Sequence, residues 1–274
     1  MIENSVKSVA IGSFDGIHTA HRELISLADE VVVIERGRGR LTPGYKRSWY
    51  CDKPCAFYIF DTIKELTPYQ FVQKLKRNYP SLSKIVIGYD FRFGRGAEGT
   101  PETIKALFEG EVVVVSEITV GGIPVHSRTI ADMLSRGDIA GASMLLGRNY
   151  RIDGKHIRGQ GLGREFLVPT INIEVEDYLL PAEGVYATLS TLEGISYPSV
   201  TFIGKRKTTD GSFAVETHLL DMEKESPCRS PIFIDFISHI RENRKFDSLH
   251  ALKKEIFSDM KRAKEILEDG GFIK

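Results

Sequence analysis

Short apolar runs alternate with amphipathic segments through the first half of the chain. Val9 to Phe14 is apolar and ends in the turn pair Asp15-Gly16, and the stretch that follows, HTAHRELISLADE, spaces Leu24, Ile25 and Leu27 as a helix would. Val31 to Ile34 predicts a second buried strand. Leu66 to Leu75 predicts a helix with Thr67 as its cap and Pro68 at its first position, and Ser83 to Gly88 and Val112 to Val115 predict further strands. Strands separated by helices imply βαβ units and a parallel sheet, with ligands beyond the carboxyl ends of the strands. The loops after Phe14 and Gly88 are therefore the places to look for chemistry.

The pattern changes near Gly147. From Tyr150 come short alternating segments (YRIDGKHI, INIEV, GVYATLS, SYPSVTFIG, FAVETHLLD, PIFIDFISHI) broken by Gly, Pro and Asp, as in a small antiparallel barrel or sandwich. From Asp247 an amphipathic helix is expected, with Leu249, Leu252, Ile256, Met260 and Ala263 on its apolar stripe and Lys253, Lys254, Lys261 and Lys264 outside it. The expected domains are residues 1–146 and 147–274. No internal repeat or low-complexity tract is seen.

A length of 274 residues suits two such domains, and 42% hydrophobic with 27% charged residues describes a folding chain rather than a disordered one. Lysine plus arginine equals aspartate plus glutamate at 37 each, which argues against nucleic acid or an anionic membrane as partner. The N-terminus enters a strand pattern without a charged-then-apolar leader, and no run of about 18 apolar residues occurs, so a cytoplasmic protein is expected. Cys51, Cys55 and Cys228 are too few for a disulfide framework. Cys51-x-x-x-Cys55 matches half a zinc site but lacks a second pair, and free thiols in a loop are the expectation.

In the segment Gly12-Ser13-Phe14-Asp15-Gly16-Ile17-His18-Thr19-Ala20-His21, two histidines at i and i+3 share one face where a helix begins. A helix start favours anions, and two imidazoles there can stabilise charge on a nucleotide α-phosphate during in-line displacement. A surface histidine pair or a partial metal site fits the spacing equally well. Asp90-Phe91-Arg92-Phe93-Gly94 is an aromatic, glycine-bearing loop suited to a flat ring, or equally to core packing.

In the second half, Gly159-Gln160-Gly161-Leu162-Gly163-Arg164 can converge amides on phosphate, though it is neither a Walker loop nor a Rossmann fingerprint. Pro169-Thr170-Ile171-Asn172, read as strand, points the Thr170 hydroxyl and the Asn172 amide oxygen to one face, where both can meet a hard cation such as Mg²⁺. Glu216, in Val215-Glu216-Thr217-His218-Leu219-Leu220-Asp221, faces opposite to Val215 and Thr217. It is either a general base for attack on a γ-phosphate or a solvent-facing glutamate.

The first of these motifs resembles the HxGH signature of the nucleotidyltransferase superfamily, and G-x-F-D-G-x-H with the Gly88–Gly94 loop is similar to the adenylyltransferase half of the bacterial bifunctional riboflavin kinase/FAD synthetases. Gly161-Leu162-Gly163-Arg164, the P-T-x-N element, Gly184-Val185-Tyr186 and V-E-x-H-L-L-D resemble the kinase module of the same family. The resemblance implies a Rossmann-like α/β nucleotidyltransferase domain followed by a small antiparallel β-barrel riboflavin kinase domain with a C-terminal helix. It implies ATP with Mg²⁺, and riboflavin, FMN and FAD as substrates and products, with no nucleic acid or membrane partner. By residue, it implies that His18 and His21 act on the α-phosphate and Glu216 as base. Gly12, Phe14, Asp15, Gly16, Ser127, Arg128, Gly161, Gly163, Arg164, Thr170 and Asn172 are implied to bind nucleotide, with Thr170 and Asn172 also on Mg²⁺. Asp90, Phe91, Phe93 and Gly94 are implied to shape the flavin site.

Ala20 stands where HxGH has glycine, and Ala131 where an arginine is expected to hold pyrophosphate; Arg128, one helical turn earlier, is the expected substitute. Glu35 to Arg40 replaces a proline-containing segment, Leu167 a glycine and Phe202 an asparagine. Besides the bifunctional reading, a riboflavin kinase whose first domain is silent or stores flavin nucleotide stays open. A non-catalytic flavin-nucleotide sensor also stays open, although it would not need an intact P-T-x-N and Glu216.

Overall fold

A computed structural model describes residues 5–37, 40–157, 168–208, 210–220 and 231–272. The expectations on Gly161, Gly163, Arg164, Leu167, Asp221 and Cys228 lie outside these residues. Packing divides the chain into two units, Met1–Thr129 and Ile130–Lys274.

In the first unit, β1 (Ser8–Gly12), α1 (Thr19–Ser26), β2 (Glu30–Glu35), β3 (Cys55–Ile59), α2 (Phe60–Ile63), α3 (Pro68–Asn78), β4 (Lys84–Gly88), α4 (Pro101–Leu107) and β5 (Glu111–Val115) build a parallel five-stranded sheet in the order β3-β2-β1-β4-β5. Both faces of the central strands are buried, which is why these strands read as continuous apolar runs. Val9, Ile11, Val32, Ile34, Ile85 and Ile87 pack on one face against Phe71, Val72 and Leu75 of α3 and Ile104 of α4. Ala10, Val31, Val33 and Val86 pack on the other against Leu24 and Ile25 of α1. Thr67 caps α3 in a reciprocal capping box with Gln70, with Pro68 in the first turn. Strand order reverses between β1 and β4, so the loops after them flank the switch-point crevice of an open α/β sheet.

Cys55 opens β3, a strand not foreseen in the sequence, rather than lying in a loop; Cys51 follows a 3-10 turn over Gly44–Tyr50. Both are free thiols, and the neighbouring Cys51 thiol, by hydrogen bonding, holds Cys55 below the ordinary thiol range.

After the hairpin β6 (Thr119–Val120) and β7 (Ile123–Pro124) come α5 (Ser127–Ser135) and α6 (Ile139–Leu146), the latter lying against β8 (Tyr150–Ile157) of the second unit. That unit is a closed six-stranded barrel formed by β8, β9 (Ile171–Glu174), β10 (Gly184–Leu192), β11 (Ile195–Lys205), β12 (Phe213–Leu219) and β13 (Ile232–Glu242), in the order β10-β11-β12-β9-β8-β13. Its interior holds a hydroxyl network in which Thr188, Ser190, Ser199, Thr201 and Thr217 are fully buried. Thr188 bonds Ser199 and Thr201 at 2.8 Å, Ser190 bonds Ser199 at 2.8 Å and Thr217 at 2.9 Å, and Thr201 bonds Thr217 at 3.0 Å.

The helix α7 (Leu249–Asp269), capped by Ser248, covers the outer face of β10, β11 and β13. Its buried stripe differs from the expected one: Leu249 is exposed, whereas Asp259, Ala263 and Leu267 are buried. Asp259 sits on this stripe because Arg241 of β13 meets it with two hydrogen bonds, at 2.9 and 2.7 Å. The pairing offsets the cost of burying either charge.

Replacing Thr201 by Val keeps its shape but strips Thr188 and Thr217 of a partner. Urea unfolding of Thr201→Val is expected to show a loss of about 1–3 kcal/mol. An unchanged midpoint would mean the network contributes nothing to stability.

Candidate functional site

At the carboxyl end of β1 the backbone is forced into a tight turn. Phe14, Gly16 and Ile17 all have positive φ, at 52°, 90° and 41°. For Ile17, β-branched and fully buried, this is a strained conformation, of the kind that structures retain where the surroundings demand it. The turn delivers His18 to the N-cap of α1, where its Nδ1 accepts from the amide of His21 at 3.3 Å. Since Nδ1 accepts, the ring hydrogen of His18 lies on Nε2. The rings of His18 and His21 stack with centroids 3.5 Å apart, and Phe14 meets His21 edge-on at 5.1 Å. The expected shared face is thus observed. The Phe14 side chain, expected at a nucleotide, is fully buried and packs against His21.

Asp15 organises the rest of this region. Its carboxylate accepts from the backbone amides of Arg40, Leu41 and Thr42 at 3.1, 3.0 and 3.0 Å, and its carbonyl accepts from the Ser127 hydroxyl at 2.7 Å. The side chains of Asp15 and Ser127, both expected at nucleotide, therefore hold the glycine turn, the 40–42 segment and the start of α5 together. Arg128, beside Ser127, is exposed and makes no ion pair among the described residues. Glu35, in the segment that departs from the family pattern, pairs with the buried Arg47.

The loop after β4 splits its two aromatic rings by role. Phe93 is buried against Phe71 at 5.3 Å, whereas Phe91 is half-buried and stacks on Phe93 at 5.6 Å. Phe93, expected at the flavin, is core; Phe91 and the exposed Asp90 remain at the surface of the loop. Gly94, at φ 75°, lies so close to Pro68 that an added Cβ would come within 2.9 Å of the proline ring. Nearby, Glu117 accepts from the Tyr89 hydroxyl at 2.8 Å and contacts His126 Nε2 at 3.2 Å, and these two partners hold its carboxyl below the usual range.

In the barrel, β9 and β12 pair so that Asn172 lies opposite Glu216. Thr217 points into the hydroxyl network and Glu216 to the outer face, as strand alternation requires. Thr170, expected on a strand, lies in the segment before β9, so alternation does not place its hydroxyl. That segment is held by His218, whose Nδ1 donates to the Pro169 carbonyl at 2.6 Å. Sequence reasoning missed Arg206, just past β11: its Nε and Nη2 bond Glu216 Oε1 at 3.0 and 2.6 Å, and Nη2 also bonds Asn172 Oδ1 at 2.7 Å. Only pairing of β11, β12 and β9 brings it there, so no local motif announces it. Beside this cluster is a cleft of about 390 Å³ lined by Ile157, Asn172, Val175, Leu180, Arg206 and Phe213.

Asn172 is largely buried, and its side-chain oxygen already faces a cationic guanidinium, so its surroundings suit positive charge. Among the described residues no cluster of three or more His, Cys, Asp or Glu is arranged to hold a metal by itself. Any metal at this site would need further ligands, as from nucleotide phosphates.

For the first unit, Asp15→Ala is expected to leave three amides without their shared acceptor. Hydrogen exchange at Leu41 and Thr42 should accelerate, and stability should fall by about 1.5–3 kcal/mol. Wild-type protection at both amides would show that the carboxylate does not hold this segment.

Comparison with known proteins divides along the same two units. The FAD synthetase family model matches residues 53–129 and the riboflavin kinase model residues 146–267. The bifunctional riboflavin kinase/FMN adenylyltransferase of Escherichia coli K12 is 30% identical, over 94% of this chain and 91% of that protein. The proteins of the same description from Pseudomonas fluorescens and Bacillus subtilis are 27% and 26% identical, over 93% and 95% of this chain and 91% and 93% of theirs. A crystal structure described as a macrolide-efflux protein from Streptococcus pneumoniae shares the fold, with a TM-score of 0.83 and 23% identity over 95% of this chain and 94% of that one. No described helix is long and apolar enough to cross a membrane. With its Asn172–Glu216 pairing in a closed barrel and its histidine pair beyond the carboxyl end of the central strand of a parallel sheet, the chain belongs to the bifunctional riboflavin kinase/FMN adenylyltransferase family.

Proposed function

We propose that the barrel unit phosphorylates riboflavin to FMN with ATP, and that the α/β unit adenylylates FMN to FAD with release of pyrophosphate. The observation that carries this reading is the register placing Glu216 beside Asn172 on the outer face of the barrel. Glu216 takes the proton of the ribityl 5′-hydroxyl as its oxygen attacks the γ-phosphate, and ADP leaves. Asn172 and Thr170 would hold the Mg²⁺ that ATP carries, and that ion would neutralise phosphate charge. Gly161, Gly163 and Arg164 are assigned to the phosphates from the family resemblance.

In the α/β unit, His18 Nε2 and the His21 ring donate to the α-phosphate at the start of α1, adding to the favourable field of that helix end. Arg128 takes the outgoing pyrophosphate in place of the arginine missing at Ala131. Gly12 and Gly16 let the backbone approach the nucleotide, and the loop from Asp90 to Gly94, with Phe91 half-buried, borders the flavin. A cytoplasmic enzyme acting on small molecules accords with this reading.

A second reading, kinase alone, is favoured by Ala20 in the first turn of α1 and by Ala131 in α5, where the family carries glycine and arginine. Incubation with riboflavin, ATP and Mg²⁺, with flavins resolved by chromatography over time, separates the two. FAD following FMN in the wild type, with FAD formation reduced about 10²–10³-fold in His21→Ala while FMN persists, is the expected result. FMN without FAD would leave the kinase reading.

For the kinase step, Glu216→Gln is expected to slow turnover about 10²–10⁴-fold while ATP binding stays roughly intact. Unchanged turnover would remove Glu216 from the chemistry.

A further inference from the structure

The proposed kinase site contains a positive charge of its own. The Arg206 guanidinium donates to Asn172 Oδ1 and twice to Glu216 Oε1, while its Nη1 donates to the Ser212 hydroxyl at 2.6 Å and lies 3.9 Å from Asp210 Oδ2. Its backbone is fixed independently of these contacts: the Arg206 amide donates to the Ser212 carbonyl at 2.8 Å, and the Arg206 carbonyl accepts from Gly211 at 3.1 Å. The side chain can therefore leave while its anchoring turn stays in place.

A guanidinium offers five donors and does not give up its proton at any ordinary pH. Here it engages both oxygens that the proposed reaction needs, the amide oxygen assigned to a cation and the carboxylate assigned to a proton. A divalent ion on Asn172 Oδ1 would sit within a few ångströms of the guanidinium, and like charges so close repel in a partly buried site. The oxygen has a second lone pair, so the two compete for it through charge rather than through lack of an acceptor site. ATP brings negative phosphates with its cation, and a guanidinium binds phosphate well.

Resting on the kinase reading, we propose that Arg206 is a positioning residue that acts as a placeholder for the nucleotide-borne divalent cation. It holds Asn172 and Glu216 in place without nucleotide, and transfers from Asn172 to phosphate when the metal–nucleotide complex binds. A free divalent ion, bringing no phosphates to receive the guanidinium, is kept out. The nucleotide and its metal thus enter together.

The test uses the full chain and needs no turnover. Mn²⁺ alone, titrated without nucleotide and followed by electron paramagnetic resonance, should bind Arg206→Met about tenfold more tightly than wild type, a difference of about 1.4 kcal/mol. Arg206→Lys, which retains a cation, should stay near wild type, and adding Asn172→Leu to Arg206→Met should remove the gain. Equal Mn²⁺ affinity in wild type and Arg206→Met would overturn the proposal.

A second measurement needs no variant at the site during the titration. In ¹⁵N-labelled wild type, the Arg206 Nε–H resonance, assigned by its loss in Arg206→Lys, should move on adding Mg²⁺ with ADP and stay in place with ADP in EDTA. No movement in either case, or equal movement without metal, would also overturn it. Failure of the wild type to form FMN would count against the kinase reading and leave these binding results to decide the role of Arg206.

Discussion

The pairing of β9 with β12 is the constraint from which the barrel site follows. Because side chains alternate along a strand, the register that sets Asn172 opposite Glu216 also turns Thr217 inward. A slip of one residue would exchange the faces, burying a carboxylate and exposing a hydroxyl that has partners on two other strands. The interior network therefore does more than fill space. Its bonds among β10, β11 and β12 hold in register the strand that carries the proposed base, and chemistry on the outer face depends on hydrogen bonds on the inner one.

The α/β unit solves the equivalent problem with one ionised side chain. Asp15 collects the amides of residues 40–42 and, through its carbonyl, the start of α5. Segments far apart in sequence thereby converge on a turn too strained to persist alone. The carboxylate is suited to this because it accepts several hydrogen bonds and gains from each, as charge-assisted bonds are shorter and stronger than neutral ones. What a strand register does for Glu216, a backbone-gathering carboxylate does for His18 and His21.

This contrast explains what could be read from the residues. The sheet strands around Val9, Val32, Ile85 and Val113 were legible because burial on both faces leaves an uninterrupted apolar signature, and Thr67-Pro68 announced α3 through capping chemistry. β3 was not, because Cys55 to Ile59 mixes a thiol and two aromatics without a clear period. The stripe on α7 was misread at Leu249 and Asp259, since periodicity assigns a carboxylate to solvent and cannot foresee Arg241 on a strand below it. At the sites, His18, His21, Asn172 and Glu216 stood out through spacing. The roles of Phe14, Asp15 and Phe93 in packing did not, because a motif reports which residue is required and not whether substrate or the fold requires it. Arg206 was invisible for a related reason: its partners are distant in sequence and adjacent only after the barrel closes.

The belt of hydroxyls, set among buried apolar side chains such as Ile152, Tyr186, Ile234 and Phe236, also has a thermal character. Exposing apolar surface raises heat capacity on unfolding and exposing polar surface lowers it. The interior of this barrel, held by Thr188, Ser190, Ser199, Thr201 and Thr217, therefore contributes less to that rise than an aliphatic filling would. For that belt, less of the cohesion fades on cooling than an aliphatic belt of the same size would lose.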